Sequence, residues 1–323
     1  MREDPEVRSA PGCGGRPEAT DGPALIVLCG PTAAGKSAAA VALAERIDGE
    51  IVNADSMATY IGMEIGTAKP TPAERRGIGH HCYDIWTVRQ PAAVAEYSRL
   101  VRARSGEIQA RGRVPILVGG SGLYLRAIVD DIAFPGTDPA IRMRLERDLA
   151  ESGPESLHAR LSAADPVAAA SILPRNGRRI VRALEVIELS GRPFSATMPA
   201  YDARPDVVQI ALDRPDLDDR VQARVDAMWR RGLVDEVRML ERQGLREGPT
   251  ASRAHGYAQV LAMFDGEYDA AGARAATVRA TRRFARRQRS WFRRDPRLHW
   301  IDSSTDPVPA ALRLIERPDT LTP

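Results

Sequence analysis

No apolar run in this chain approaches the roughly 18 residues of a membrane-spanning helix. The first 22 residues, MREDPEVRSAPGCGGRPEATDG, mix acids, glycine and proline and lack the apolar centre of a signal peptide, so residues 1–22 are expected to be a disordered tail. Cysteine is sparse: Cys13, Cys29 and Cys82 form no CxxC pair, which excludes a disulfide scaffold and suits a reducing cytoplasm. Lysine is scarcer still. Of 46 basic residues only Lys36 and Lys69 are lysine, so each marks a position where a compact ammonium is wanted. Acids are missing locally: from Arg274 to Arg297 ten arginines face one acid, Asp295, although the whole chain carries a net charge of only +3.

What is present reads as an α/β protein. The 323 residues, 43% hydrophobic, suffice for a large core carrying a smaller unit. ALIVLC (24–29), GEIVN (49–53) and VPILVGG (114–120) read as buried strands, with helices predicted over 37–47, 92–111 and 123–129. Alternation of this kind implies a parallel sheet flanked by helices. Residues 138–200 are helical in composition, with Asp138-Pro139 and Asp165-Pro166 as helix starts and Gly191-Arg192-Pro193 as a stop. VVQIALD (207–213) returns to the sheet, helices follow over 216–243, 252–264 and 270–292, and LHWID (298–302) closes it. The expected organisation is a first core segment over 23–137, a helical insertion over 138–203, a second core segment over 204–302 and a tail over 303–323.

Gly30-Pro31-Thr32-Ala33-Ala34-Gly35-Lys36-Ser37 matches G-x-x-x-x-G-K-[ST] between a strand and a helix, the context in which that loop cradles phosphates. Backbone amides and a helix N-terminus face the anion, Lys36 adds an ammonium, and Ser37 is a candidate Mg²⁺ ligand. Such a loop requires two linked phosphates but not a nucleotide. A small-molecule kinase and a transferase that expels diphosphate both satisfy it.

Asp55, just past the second strand, belongs near this loop, because chemistry in open α/β sheets gathers at the carboxyl ends of the strands. Three roles compete for it: holding Mg²⁺ through water, accepting a proton, or capping a helix. Lys69, in Gly66-Thr67-Ala68-Lys69-Pro70, is either a second cation for a diphosphate or a surface lysine. Ser121, on the Gly119-Gly120-Ser121-Gly122 turn, offers a hydroxyl but lacks the G-x-S-x-G spacing of a hydrolase elbow. His80, His81 and Cys82 do not make a zinc site, since neighbouring side chains of an extended segment point opposite ways. The acid-poor arginine helix, interleaved with Phe284 and Trp291, suits an RNA backbone. Arg178, Arg179 and Arg182 form a second basic cluster.

The series GPTAAGKS, ADSMATY, IGTAKP, HHCYDI, VGGSGLY, DPVAAASI, RRIVRALEV, SRAHGY and RRQRSWFRR, spread over residues 24–302, resembles the tRNA dimethylallyltransferases in content and order. The resemblance implies a P-loop NTPase-like core with a helical insertion. It implies dimethylallyl diphosphate as donor, bound on Gly30 to Ser37 with Mg²⁺, and the N6 of the adenosine 3′ of the anticodon as acceptor. It assigns Asp55 as general base, with Ser121 and Arg253 beside the reacting centre. The positions that it matches to tRNA contacts are Asp55, Ser56, Met57, Ala58, Ser121, Arg142, Arg178, Arg179 and Arg182, to which the basic helix adds Arg286 and Arg287. A cytoplasmic monomer acting on the tRNA anticodon stem-loop, with no membrane partner, is expected. Three positions depart from the family: Ser121 stands for Thr, Ala58 for Gln, and His255 for a small apolar residue. The alternatives that remain are a P-loop small-molecule kinase and an adenylate isopentenyltransferase acting on free AMP.

Overall fold

The structure, a computed structural model, describes residues 23–130, 132, 134–197, 201–202 and 204–316. The expected N-terminal tail, and Cys13 with it, lies outside the described residues.

Six strands form one parallel sheet in the order β3-β2-β4-β1-β5-β6, built from β1 (Leu25–Cys29), β2 (Gly49–Asn53), β3 (His80–His81), β4 (Val114–Val118), β5 (Val207–Asp213) and β6 (His299–Asp302). β1 sits between β4 and β5, with Ile26 opposite both Ile116 and Val208. Alternation along β1 divides the core in two. Val27 and Cys29 face the side covered by α3 (Val94–Ala110), α4 (Gly122–Val129), α9 (Leu233–Arg242) and α10 (Tyr257–Phe264). Ile26 and Leu28 face the side covered by α1 (Lys36–Ile47), α8 (Leu217–Arg230) and α12 (Val308–Glu316). Burial on both faces explains the nearly continuous apolar runs of β1, β4 and β5.

Between β4 and β5 the chain forms α5 (Pro139–Ala164), α6 (Pro166–Ser171) and α7 (Gly177–Ser190), which bury a cluster of their own around Leu145, Leu157, Leu161, Ile180 and Leu184. Asp138 caps α5 by accepting from the amides of Ala140 and Ile141, and Asp165 accepts from Ala168 to start α6. Gly191, left-handed at φ 64°, ends α7. Gly153 and Pro154 break α5 in the middle. The remaining helices are a single turn, α2 (Pro72–Arg75), and α11 (Ala270–Phe292), which carries most of the basic stripe.

Several expectations need correction. Residues 303–316 are not a tail: Ser303 Oγ donates to the carbonyl of Ala34 at 2.8 Å, and α12 buries Val308 and Ala311. A nine-residue helix gave little periodic signal, although Asp306 Oδ1 accepts from the Val308 amide at its start at 3.0 Å. The helix expected over 216–243 is two, parted by Gly232 at φ 94°, and that over 252–264 is a 3-10 turn (Ala251–Arg253) and α10, parted by Gly256 at φ 93°. His80 and His81 do point apart. His81 Nε2 meets the buried carboxylate of Glu50 at 2.5 Å, while His80 Nδ1 meets the carbonyl of Ile78 at 2.9 Å.

The segment 64–69 is pinned to α9 by one carboxylate. Glu236, 8% exposed, accepts from the amides of Glu64, Ile65 and Gly66 at 3.1, 2.7 and 3.2 Å, and from the Tyr257 hydroxyl at 2.6 Å. Gly66 must be glycine, because a Cβ there would stand 2.4 Å from the Tyr257 ring. Glu236→Ala strands these donors, and should cost about 3 kcal/mol of stability, as measured by denaturant unfolding. A loss under about 1 kcal/mol would mean that the loop is held elsewhere.

Candidate active site

Three loops converge at the carboxyl ends of β1, β2 and β4. The first, residues 30–35, runs from β1 into α1. Gly30, at φ 132°, lies so close to β5 that a Cβ would come within 2.2 Å of the Leu212 carbonyl oxygen. Gly35, at φ 89°, turns the chain into α1, whose first amides receive no side-chain cap. Lys36 Nζ arches back over the loop, donating to the carbonyls of Gly30 at 3.0 Å and Pro31 at 2.8 Å. Burial, reinforced by Arg224 and opposed by Asp55, lowers the Lys36 pKa to about 8.

The second loop follows β2. Asn53, 2% exposed, braces it by accepting from the Asp55 amide and donating to the carbonyls of Asp55 and Cys82. Asp55 Oδ1 accepts from the Met57 amide at 2.9 Å in a side-chain turn. No helix starts here, so helix capping falls away as the role of Asp55. The third loop follows β4, where Ser121 Oγ accepts from the Ser56 amide at 3.1 Å and lies 3.2 Å from Ser56 Oγ. Ser121 thus locks the second loop to the third. Tyr124 packs against Tyr97, ring centres 5.0 Å apart.

Two cavities meet between these loops. One, of about 510 Å³, is polar, and Lys36, Ser37, Lys69 and Arg220 line it. The other, of about 220 Å³, is largely apolar, and Met57, Ser121, Met228, Arg253, His255 and Phe284 line it. Thr32, Asp55, Thr67 and Arg224 border both, which puts the Asp55 carboxylate at their junction.

Lys69 is not a free cation for a phosphate. Its ammonium donates to the Tyr60 carbonyl at 2.7 Å and to Glu64 at 2.8 Å, and it pairs with Asp84, so its donors are spent on shaping the 60–69 turn. The cations that do face the phosphate loop include two missed in the sequence. Arg220 and Arg224, one turn apart on α8, bond the carbonyls of Ala33 at 3.0 Å and Thr67 at 3.3 Å. Burial lowers the Arg224 pKa, Asp55 opposes that shift and Arg220 adds to it. Among 44 arginines, 46 basic residues less two lysines, nothing in the sequence set this pair apart.

The remaining basic residues divide into paired and exposed. Arg142 and Arg182 converge on the fully buried Glu185, and Arg182 also donates to the carbonyls of Pro135 and Gly136. Arg178 and Arg179 are exposed. Arg142, Arg179 and Arg182 share a cavity of about 660 Å³ with Phe134, Phe194 and Trp291, between the insertion and α11. The acids absent from the basic stripe are supplied by other elements: Asp226 lies 3.3 Å from Arg274, Asp218 lies 3.7 Å from Arg286, and Asp213 lies 2.7 Å from Arg289. Arg283 and Arg287 are exposed and have no carboxylate partner among the described residues. His255 packs its ring on Phe284 at 5.1 Å, and burial, then Arg287 and Arg283, lower its pKa.

The sequence model of the IPP transferase family matches residues 58–295. The tRNA dimethylallyltransferase of Streptomyces avermitilis is 62% identical over 304 residues, which cover 92% of this chain and 97% of that protein. That of Thermobifida fusca is 59% identical over 299 residues, covering 90% of this chain and 94% of that one. This chain belongs to the tRNA dimethylallyltransferase family. The crystal structure of the full-length tRNA isopentenylpyrophosphate transferase from Bacillus halodurans, 38% identical, superposes with a TM-score of 0.65 over 90% of this chain and 93% of that one. A eukaryotic dimethylallyltransferase acting on tRNA, 23% identical over 93% of this chain and 80% of that one, shares the fold with a TM-score of 0.76. The small-molecule kinase reading of the phosphate loop falls with this membership. No helix among the described residues is long and apolar enough to cross a membrane.

Because Lys36 titrates near pH 8, its charge is present at pH 7 and mostly lost by pH 9. Affinity for inorganic diphosphate, measured by calorimetry relative to a Lys36→Arg variant, should therefore fall about tenfold between pH 7 and pH 9. The variant keeps its charge and shares the ligand's own ionisation. A ratio constant with pH would show that the ammonium does not meet the phosphates.

Proposed function

We propose that this chain transfers the dimethylallyl group of dimethylallyl diphosphate to the exocyclic N6 of the adenosine 3′ of the anticodon in tRNA, releasing diphosphate. The observation that carries the reading is the position of Asp55, between a polar cavity on the phosphate loop and an apolar one beside it. The donor's diphosphate fits the first, on Gly30, Pro31, Thr32, Ala33, Ala34, Gly35, Lys36 and Ser37. The adenine fits the second, between Met57, Met228 and Phe284, with its amino group at the junction.

The transfer forms a bond from N6 to C1 of the dimethylallyl group and breaks the bond from C1 to the diphosphate oxygen. The electron pair leaves with diphosphate, where Lys36, Arg220, Arg224 and the helix N-terminus stabilise the growing charge. The N6 proton passes to the Asp55 carboxylate. N6 is a weak nucleophile, so placement and a base both matter. Arg253 adds positive charge on the adenine side, and Ser121 fixes the turn that carries Asp55.

Ser37 and Asp55 line one cavity, and no group of three or more His, Cys, Asp or Glu among the described residues could hold a metal alone. That donor set fits Mg²⁺, which the Ser37 hydroxyl, substrate phosphates and water would hold, leaving Asp55 as the base. Bound there, the ion would neutralise diphosphate charge.

The exposed Arg178 and Arg179 on α7, of which Arg179 lines the cleft beside Trp291, and the exposed Arg286 and Arg287 on α11 suit the backbone of an anticodon stem-loop. Ser56, Met57 and Ala58, beside Asp55, suit the loop nucleotides. Arg142 and Arg182, drawn onto Glu185, shape that cleft as much as they charge it. The enzyme is read as a cytoplasmic monomer.

The test is transfer of label from dimethylallyl diphosphate, with Mg²⁺, to unmodified tRNA or to AMP. Label should enter tRNA alone, and Asp55→Ala should cut turnover about 10²-fold with tRNA binding intact. Label in AMP alone would instead make the protein a free-nucleotide isopentenyltransferase. Unimpaired turnover in Asp55→Ala would remove Asp55 as the base.

A further inference from the structure

Gln288 lies on the arginine helix α11 but points inward, 6% exposed, among charged neighbours that point out. Its side-chain oxygen accepts from the amide of Thr32 in the phosphate loop at 2.9 Å, and its side-chain nitrogen donates to the carbonyl of Gly120 at 2.9 Å. One amide group therefore bridges the loop proposed to hold the donor and the turn that carries Ser121. Gly120 has no room for a side chain because of this contact: a Cβ would stand 2.2 Å from Gln288 Nε2. Thr32 borders both cavities, Ser121 borders the apolar one and Gln288 itself lines the polar one, so the bridge spans the line along which donor and acceptor meet.

From this geometry we infer that Gln288 is a positioning residue for the transfer: it sets the register between the diphosphate site and the acceptor site without touching the reacting atoms. The inference rests on the proposed transfer reaction. Either half-site can bind without the bridge, since Lys36 and Arg220 bond the loop and Arg224 lines its cavity independently, and Ser121 bonds Ser56 independently. What the bridge fixes is their spacing. Transfer depends steeply on spacing, because an error of about 1 Å in the approach of the reacting atoms costs about 10² in rate. Gln288 also joins the site to the helix that carries Arg286 and Arg287, so whatever seats that helix on RNA bears on the same register.

The test uses Gln288→Met, which keeps the length and removes both hydrogen bonds, and Gly120→Ala, whose methyl displaces the Gln288 amide. For each full-length variant, the binding of inorganic diphosphate and of tRNA is measured beside kcat for label transfer. Each variant should bind both ligands within about threefold of wild type, while kcat falls about 10- to 100-fold. The double variant should be no slower than the slower single one, since both remove one bridge. Unchanged kcat would overturn the inference. So would a kcat loss matched by an equal loss of diphosphate affinity, which would make Gln288 a part of the phosphate loop alone, or strictly additive effects. Where Gln288→Met does not fold, Gly120→Ala alone carries the same kcat-against-binding comparison. A wild-type protein that transfers no label to tRNA indicts the proposed reaction and not the bridge.

Discussion

The site depends on how closely backbone segments approach at the ends of four neighbouring strands, β2, β4, β1 and β5. Gly30 sits on the Leu212 carbonyl, Gly119 sits on the backbone of Ala54, and in each case a Cβ would come within 2.2 Å of the neighbour. Nothing larger than hydrogen fits. The sheet order puts β4 and β1 side by side and β2 next to β4, so the three loops have to share one small volume. That crowding brings Lys36, Asp55 and Ser121 together from positions far apart in the chain, without a long side chain reaching for any of them.

Around that centre the chain spends its buried polar groups on holding loops still. Glu236 gathers three successive amides, Lys69 ties its turn to two carboxylates, Asn53 braces the Asp55 backbone, and Gln288 bridges two loops. Each of these groups satisfies backbone donors or acceptors that a loop in a buried setting would otherwise leave unpaired. Preorganisation of this sort is what a reaction limited by placement of a weak nucleophile requires. Both lysines of the chain sit in this shell, one on the phosphate loop and one purely as a brace.

The fold was legible because its signals are local. Alternating apolar runs and helices announce the parallel sheet, Asp-Pro pairs start the insertion's helices, and Gly30 to Ser37 is read directly from its spacing. Asp55 and Ser121 could be named because each follows a strand. What stayed hidden depends on tertiary contact. Lys69 reads like a phosphate ligand until Glu64 and Asp84 are seen around it. Arg220 and Arg224 carry no mark that separates them from the other arginines of the chain. The stripe from Arg274 to Arg297 reads as wholly uncompensated because Asp213, Asp218 and Asp226, which face three of its arginines, come from β5 and α8, far away in sequence. Helix α12 is too short to speak for itself, and Gln288 is one polar residue in a helix full of them.

The most direct test of the account is a crystal structure with an anticodon stem-loop and a dimethylallyl diphosphate analogue whose bridging oxygen is replaced by sulfur, so that no transfer occurs. The account predicts the diphosphate on residues 30–37 and the adenine in the apolar cavity, with N6 within hydrogen-bond distance of the Asp55 carboxylate. An adenine bound away from Asp55, or a donor whose diphosphate avoids Lys36, would contradict it.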